Sequence, residues 1–311
     1  LIHLLSLNPA LDFFFELEKP KSGRVGLAGK VGTLSGASVE AGGKALNAAR
    51  FLKKMRVPAA TWLGTGGGSD PTHLLFKALV QVEGLKVRFL SEKEPIRFTA
   101  VLTTAKQSHK YNHPGFELDL SGFGKFLQTV KRGDVLVLTG RLPGGMNDAL
   151  YASWIKAFKK RGVKVVLDTS GPALSKALAQ IPWFFKVNLF EFSEALKIRV
   201  PNLKKFSKLL PRLIHAGLLH GAVTHGAEGA VVWNGPEAYW VKSSAKSKGL
   251  VVGAGDGFLA GYLKGLQARK SFKESARLAS AAALTVAQKG IMGFDAKELA
   301  KNLKTVKAVK L

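Results

Sequence analysis

The sequence predicts an α/β fold in which a mostly parallel sheet is covered by helices on both faces. From about residue 120 onward, short apolar runs at 135–138, 163–167, 183–187 and 221–224 alternate with stretches of helical periodicity. That is the pattern of parallel strands buried on both sides. A polar residue closes each run (Thr139, Asp168, Asn188 and Thr224). All four are therefore expected on the carboxyl edge of the sheet, where open α/β sheets bind ligands. The third observation is Val251-Val252-Gly253-Ala254-Gly255-Asp256-Gly257, a glycine loop followed by Phe258, Leu259, Tyr262, Leu263 and Leu266 at helical spacing.

Taken in order, the chain opens on an apolar run at 1–7 that lacks a basic flank and a small-residue cleavage site. It reads as a first buried strand, not a signal peptide. Residues 12–17 and 27–38 read as extended, glycine-rich hairpin material, and Gly42-Gly43 opens a helix that Pro58 ends. A strand at 59–63, a glycine turn at 64–69, a helix at 70–82 and a strand at 85–90 follow. Residues 96–102 and 106–113 read as strands joined at Gln107-Ser108. Helices are expected at 121–130, 147–160, from Pro172, at 203–216, 273–289 and 295–303. The two strand-rich patches, about 12–38 and 96–115, interrupt the alternation and are expected to form a small separate sheet over one end of a single domain, 1–311.

Composition excludes several classes. The 311 residues contain no cysteine, so disulfides and cysteine–zinc sites are out, which fits a cytoplasmic protein. No apolar stretch approaches the roughly 20 residues that span a bilayer. The balance of 47 Lys+Arg against 21 Asp+Glu gives a net charge of +26. The lysines are dispersed, as in Lys53-Lys54 and Lys204-Lys205, without interleaved aromatics. They read as a solvated surface that attracts anions, not as a specific nucleic-acid interface.

No P-loop, dinucleotide fingerprint or G-x-S-x-G is present, and His109 and His113 lack a third metal ligand nearby. The glycine loop before a helix suits a phosphate, because free N–H groups and the positive end of the helix dipole collect there. Asp256 then either caps that helix or takes a proton from whatever attacks the phosphate. Gly42-Gly43-Lys44-Ala45-Leu46-Asn47 is either an ordinary glycine entry to a helix or a ligand loop with a cation. Asp12, placed just beyond the first strand, reads as a turn aspartate or an acceptor for sugar hydroxyls. Asn188 and Glu191 read as a capping box or as holders of a hydrated magnesium ion. Thr224-His225-Gly226-Ala227-Glu228-Gly229 is a glycine-flanked turn between strands.

Together, N-P-A-x-D, G-G-K-x-x-N, N-x-x-E, G-A-E-G and V-G-A-G-D in this order resemble the PfkB (ribokinase-like) carbohydrate kinases over essentially the whole chain. The likeness is greatest to the phosphosugar branch, the 1-phosphofructokinases and tagatose-6-phosphate kinases. It rests on residues 7–12, on Asn112-His113-Pro114-Gly115 and on Thr139-Gly140-Arg141-Leu142-Pro143. The resemblance implies a three-layer sandwich with a β-sheet lid that often doubles as a homodimer contact. It implies Asp256 as general base and the amides of Gly253, Ala254 and Gly255 as an anion hole. Asp12, Gly42, Gly43, Lys44, Asn47 and Arg97 would hold a ketohexose phosphate. Asn188, Thr224, Gly226 and Gly229 would lie along ATP, and Asn188 and Glu191 would reach Mg2+ through water. Other functions that the residues leave open are a kinase of a neutral sugar or nucleoside, and a polyanion-binding protein on the same fold.

The chain departs from the pattern at four places. Val187 replaces a common proline, Ala45 stands where the branch usually has a third glycine, and His113 stands where glutamate or glutamine is common. Arg97-Phe98-Thr99-Ala100-Val101 lacks the asparagine and lysine of the R-x-N-x-K found in many 1-phosphofructokinases.

Overall fold

A computed structural model describes residues 1–17, 34–104, 108–245 and 252–311. Residues 27–33 of the expected hairpin, Gln107 of the expected turn and Val251 at the head of the glycine loop lie outside these. Strand β1 (Ile2–Ser6) is buried throughout and leads through Asn8-Pro9 into β2 (Ala10–Leu17), which pairs antiparallel with β3 (Leu34–Gly42). Next come α1 (Lys44–Lys54), β4 (Ala59–Leu63), α2 (Pro71–Val82) and β5 (Val87–Phe89). Asp70 caps α2 by accepting from the amides of Thr72 and His73, with Pro71 at the first turn, where its missing N–H costs nothing. β6 (Arg97–Thr103) and β7 (Ser108–Asn112) complete a four-stranded sheet of order β3-β2-β6-β7.

The regular half contains α3 (Phe123–Thr129), β8 (Val135–Thr139), α4 (Leu150–Lys160), β9 (Lys164–Asp168), α5 (Pro172–Leu178), β10 (Phe184–Asn188) and α6 (Leu189–Ala195). It continues with α7 (Leu203–Ser207), α8 (Leu210–His215), β11 (His220–Thr224), β12 (Ala230–Asn234) and β13 (Ala238–Ser243). The chain closes on α9 (Ala254–Gln267), α10 (Phe272–Lys289), α11 (Ala296–Thr305) and β14 (Val306–Lys310). The large sheet has ten strands in the order β14-β13-β12-β11-β10-β9-β8-β1-β4-β5. From β5 to β11 neighbours run parallel, whereas β12, β13 and β14 are antiparallel. Alternate residues of β1 serve opposite faces: Leu4 joins the core of Phe51, Phe258 and Leu263, and Leu5 joins that of Phe126, Tyr151 and Phe185. Two cores around one sheet make the expected three layers. Among the described residues no helix is long and apolar enough to cross a membrane.

Four expectations need correction. Asp12 is not a turn aspartate at the end of the first strand; it sits inside β2, the stretch read as extended from residue 12, because the chain turns at Asn8-Pro9 and extends again from Ala10. The single helix at 203–216 is two, α7 and α8. Pro211 cannot continue a helix from Leu203, having no N–H to donate back, but it fits the first turn of a new one. The tail does not end in helix: β14 pairs with β13, its alternating apolar residues Val306 and Ala308 packing on the core side. The strand expected after the 224–229 turn is β12, but its hairpin partner β13 and the short α6 were absent from the pattern read in sequence.

Helix α9 positions Asp256, and α9 is fixed by its contact with α10. Gly257, Gly261 and Gly265 form one stripe of α9 along that contact. A Cβ on Gly261 would lie 2.7 Å from the Leu278 carbonyl oxygen and 2.8 Å from Ala279 Cα. Each helical glycine costs about 1 kcal/mol relative to alanine, so the close backbone approach must offset that loss. Gly261→Val should therefore destabilise the protein by about 1–3 kcal/mol through overpacking. A urea midpoint that stays at the wild-type value would show that the two helices separate without cost.

Candidate active site

A cleft of about 1360 Å³ opens at the carboxyl ends of β1, β10 and β11, with the inner face of the small sheet as one wall. Every residue that the resemblance gave a site role lines it, whereas Thr139 and Asp168, expected on the same sheet edge, are fully buried and do not. Asp12, Gly42, Gly43, Lys44, Asn47 and Arg97 lie toward the small sheet, with Gly253, Ala254, Gly255 and Asp256 at the start of α9. Asn188, Glu191, Thr224, Gly226 and Gly229 lie along the other arm, with Ala283, Ala287 and Ile291 of the α10 side.

The glycine loop acts through its backbone. Gly253, at φ 80, occupies the left-handed region that an L side chain resists, and it turns the chain into α9. Asp256 is the third residue of that helix and makes no capping bond, so the cap alternative does not hold. At Gly255 a Cβ would lie 2.7 Å from Lys186 Nζ, so a side chain there would have to displace that ammonium group. The first turn of α9 thus lies against the Lys186 ammonium group.

Asp256 is 6% exposed, and its Oδ2 accepts a hydrogen bond from Asn47 Nδ2 at 2.8 Å. Close by lies a buried cluster that the sequence did not assemble. Asp168, fully buried at the end of β9, accepts from Lys44 Nζ at 2.6 Å and from Lys186 Nζ at 2.9 Å. Burial alone would raise the Asp168 carboxyl, but the two ammonium groups hold it below the ordinary carboxylate range. For Lys44 burial works toward deprotonation, and Asp168, Asp256 and Glu191 more than reverse it, so the ammonium form is reinforced. Asp256 ends in a different state. Burial is the largest influence; Lys44 and Lys186 oppose it, Asp168 adds to it, and its pKa rises to about 6. Two neighbouring carboxylates with divergent ionisation are the usual mark of a site that moves protons.

Toward the small sheet, Asp12 packs directly on Gly42, where a Cβ would come within 2.0 Å of Asp12 Oδ2. Strand register sets Glu40, Asp12, Thr99 and Asn112 in one row across all four strands. Thr99 Oγ1 donates to Asn112 Oδ1 at 3.2 Å, and Val101 pairs with Lys110. The amide and ammonium missing from Thr99 and Val101 are therefore present on the adjacent strand at the same registers. Arg97 donates Nε to the Asn8 carbonyl and Nη1 to Thr99 Oγ1 and the His113 carbonyl. Arg141 Nε donates to Ser170 Oγ at 2.8 Å, and both residues line the cleft. Ala45, the departure from a third glycine, is buried in the first turn of α1.

Asn188 and Glu191 do form a capping box: Glu191 N donates to Asn188 Oδ1 at 2.8 Å and Asn188 N to Glu191 Oε2 at 2.9 Å. The described residues contain no group of three or more His, Cys, Asp or Glu able to cage a metal, His109 and His113 included. One carboxylate and one amide at the cleft wall nevertheless suit Mg2+, which keeps most of its waters and leans on substrate phosphates.

Sequence reasoning placed Asp168 at a strand end without a role and passed over Lys186, Arg50, Glu40 and Lys110. The strand-terminal position of Asp168 was the available signal; the others depend on pairings across the fold.

The comparisons agree with this geometry. The description "pfkB family carbohydrate kinase" matches residues 15–297. The 1-phosphofructokinase of Bacillus subtilis is 28% identical over 284 residues, 89% of each chain. That of Escherichia coli is 28% identical over 305 residues, 95% of this chain and 94% of the relative. Among solved structures, phosphofructokinase-2 of Escherichia coli with substrates and products superposes with a TM-score of 0.86 at 22% identity, over 97% of this chain and 98% of that one. A possible 1-phosphofructokinase of Thermotoga maritima gives a TM-score of 0.82 at 19% identity, over 100% and 99% of the two chains. The superpositions establish the ribokinase-like fold, and the match over most of the sequence establishes the rest: the chain belongs to the pfkB family of carbohydrate kinases.

Proposed function

We propose that this kinase transfers the γ-phosphoryl group of ATP to the primary hydroxyl of a ketohexose phosphate, giving the bisphosphate. The observation that carries the reading is the meeting, in one cleft, of a buried carboxylate at a helix N-terminus with cations on the acceptor side. Asp256, ionised above about pH 6, accepts the proton of the attacking hydroxyl. The amides of Gly253, Ala254 and Gly255, at the positive end of α9, hold the migrating phosphoryl group. Lys44, kept charged by Asp168, adds a fixed positive charge beside Asp256. Catalysis of this kind is mainly positioning and charge stabilisation.

Asp12, Gly42 and Gly43 form the floor for the sugar hydroxyls. Arg97, committed through Nε and Nη1 to the surrounding chain, orders that wall. Lys110 and Arg141 are the cations that receive the substrate's own phosphate. Fructose 1-phosphate is the favoured acceptor, since both curated relatives are named 1-phosphofructokinases; tagatose 6-phosphate, a ketohexose phosphate of the same charge, is the other acceptor. Thr224, Gly226 and Gly229 lie along ATP. Asn188 and Glu191 would hold Mg2+ through water, and the ion would neutralise phosphate charge when bound. The small sheet acts as a lid whose closure excludes water, the competing acceptor, and its outer face is the contact of a homodimer.

Asp256→Asn should lower kcat by ~10²–10⁴-fold with both Michaelis constants nearly unchanged. Full turnover in that variant removes Asp256 from the mechanism. Replacing Lys110 and Arg141 by alanine should raise the Michaelis constant for fructose 1-phosphate by ~10-fold or more, one charge-assisted hydrogen bond's worth, and leave that for ATP in place. Unphosphorylated fructose, used as a slow acceptor, should be insensitive to the change. An equal loss on both sugars would mean that these cations do not read a phosphate.

A further inference from the structure

Arg50 lies one turn beyond Asn47 on α1, is 5% exposed, and has no part in the mechanism above. Its Nη1 donates to Asn47 Oδ1 at 2.8 Å, and its Nη2 donates to the Ala41 carbonyl and to Glu83 Oε1. Glu83, the residue that closes α2, also receives Arg50 Nε. A guanidinium offers donors only, whereas an asparagine amide has one accepting end and one donating end. With Oδ1 held by Arg50, the donating end of Asn47 has a single direction left, and there it meets Asp256 Oδ2 at 2.8 Å. Turned over, Asn47 would present its oxygen to Asp256, and the two acceptors could meet only through a proton on the carboxyl group.

We propose that Arg50, anchored by Glu83, is a positioning residue that fixes the Asn47 amide so that it donates to Asp256 and keeps that carboxylate ready to accept a proton. The inference rests on Asp256 being the base. The charged groups facing Asp256 are Lys44 from α1, Lys186 from β10 and Asp168 from β9. None of these is altered by changing Arg50, so the amide is the only neighbour that responds. A hydrogen bond donated to the ionised form lowers a carboxyl pKa, and its loss raises it. Freeing the amide therefore moves the ionisation of Asp256 upward from about 6.

The test is kcat/KM for the sugar phosphate against pH for wild type, Asn47→Ala, Arg50→Met/Glu83→Met and the triple variant. Substituting Arg50 and Glu83 together leaves no buried unpaired charge. The acid limb of kcat/KM, which reports the free enzyme and lies near pH 6 in wild type, should move up by about one pH unit in the double variant, one charged hydrogen bond's worth. Turnover should recover at alkaline pH, and the Michaelis constant for ATP should hold. Asn47→Ala should shift the limb alike, and the triple variant no further than Asn47→Ala. A purely structural Arg50 would lower turnover by one factor at every pH and leave the limb in place, which overturns the proposal. If the double variant does not fold, Arg50→Lys, which cannot span Asn47, Ala41 and Glu83 together, and Asn47→Ala carry the same test. An unmoved limb in both overturns it. Full activity in Asp256→Asn would sink the base assignment itself, whereas an inactive Asp256→Asn with an unmoved limb in the double variant sinks only the role of Arg50.

Discussion

Asp168 is a fully buried carboxylate that holds Lys44 and Lys186 at 2.6 and 2.9 Å beneath the glycine loop. At an effective dielectric constant of 20, each contact contributes on the order of 5 kcal/mol of Coulomb attraction. Taking each ion from water costs several kcal/mol, so the cluster adds little net stability. What it contributes is arrangement. It ties α1 and β10 to the end of β9, and it places two ammonium groups near Asp256 in the first turn of α9, where the proposed phosphoryl transfer would need positive charge. Removing Asp168 would leave the buried Lys186 without its counter-ion and the partly exposed Lys44 without its partner, a loss of a different order from that of a surface pair.

Asp256 takes its character from this cluster. A carboxylate at a helix N-terminus beside two lysines would ordinarily ionise easily. Burial and the neighbouring negative charge of Asp168 outweigh those influences. The outcome is a carboxyl group poised near neutrality beside one that stays ionised, which is what the proposed base requires. The glycines have a parallel logic: Gly255 leaves room for Lys186, Gly42 for Asp12, and Gly261 for the backbone of α10. Close approach at three places fixes one carboxylate relative to one loop.

Much of this was legible in the sequence. The alternation of apolar runs and helices gave the layered sheet, and the polar residue closing each run marked its carboxyl edge. The glycine loop and Gly42-Gly43-Lys44 converge because both precede helices that start at that edge. What stayed hidden depends on strand register or on contacts between distant segments. The strand holding Asp12 was read from residue 12 onward, but it begins at Ala10, directly after the turn at Asn8-Pro9, so Asp12 is a strand residue and not one of the turn. The pairing of Val101 with Lys110 and of Thr99 with Asn112 explains two apparent losses, yet register is set by the whole sheet. Pro211 was a visible break in the 203–216 stretch that helical periodicity concealed. The bond from Arg50 to Asn47 spans one helical turn, but its meaning depends on Asp256, 209 residues beyond Asn47.

The account stands or falls on the ionisation of Asp256 in the folded protein. The most direct measurement is a carboxyl 13C NMR titration of protein labelled at aspartate, with the Asp256 resonance assigned by its loss in Asp256→Asn. A midpoint near pH 6 is the result the buried cluster predicts. A midpoint at the ordinary aspartate value of 3.8 would contradict it.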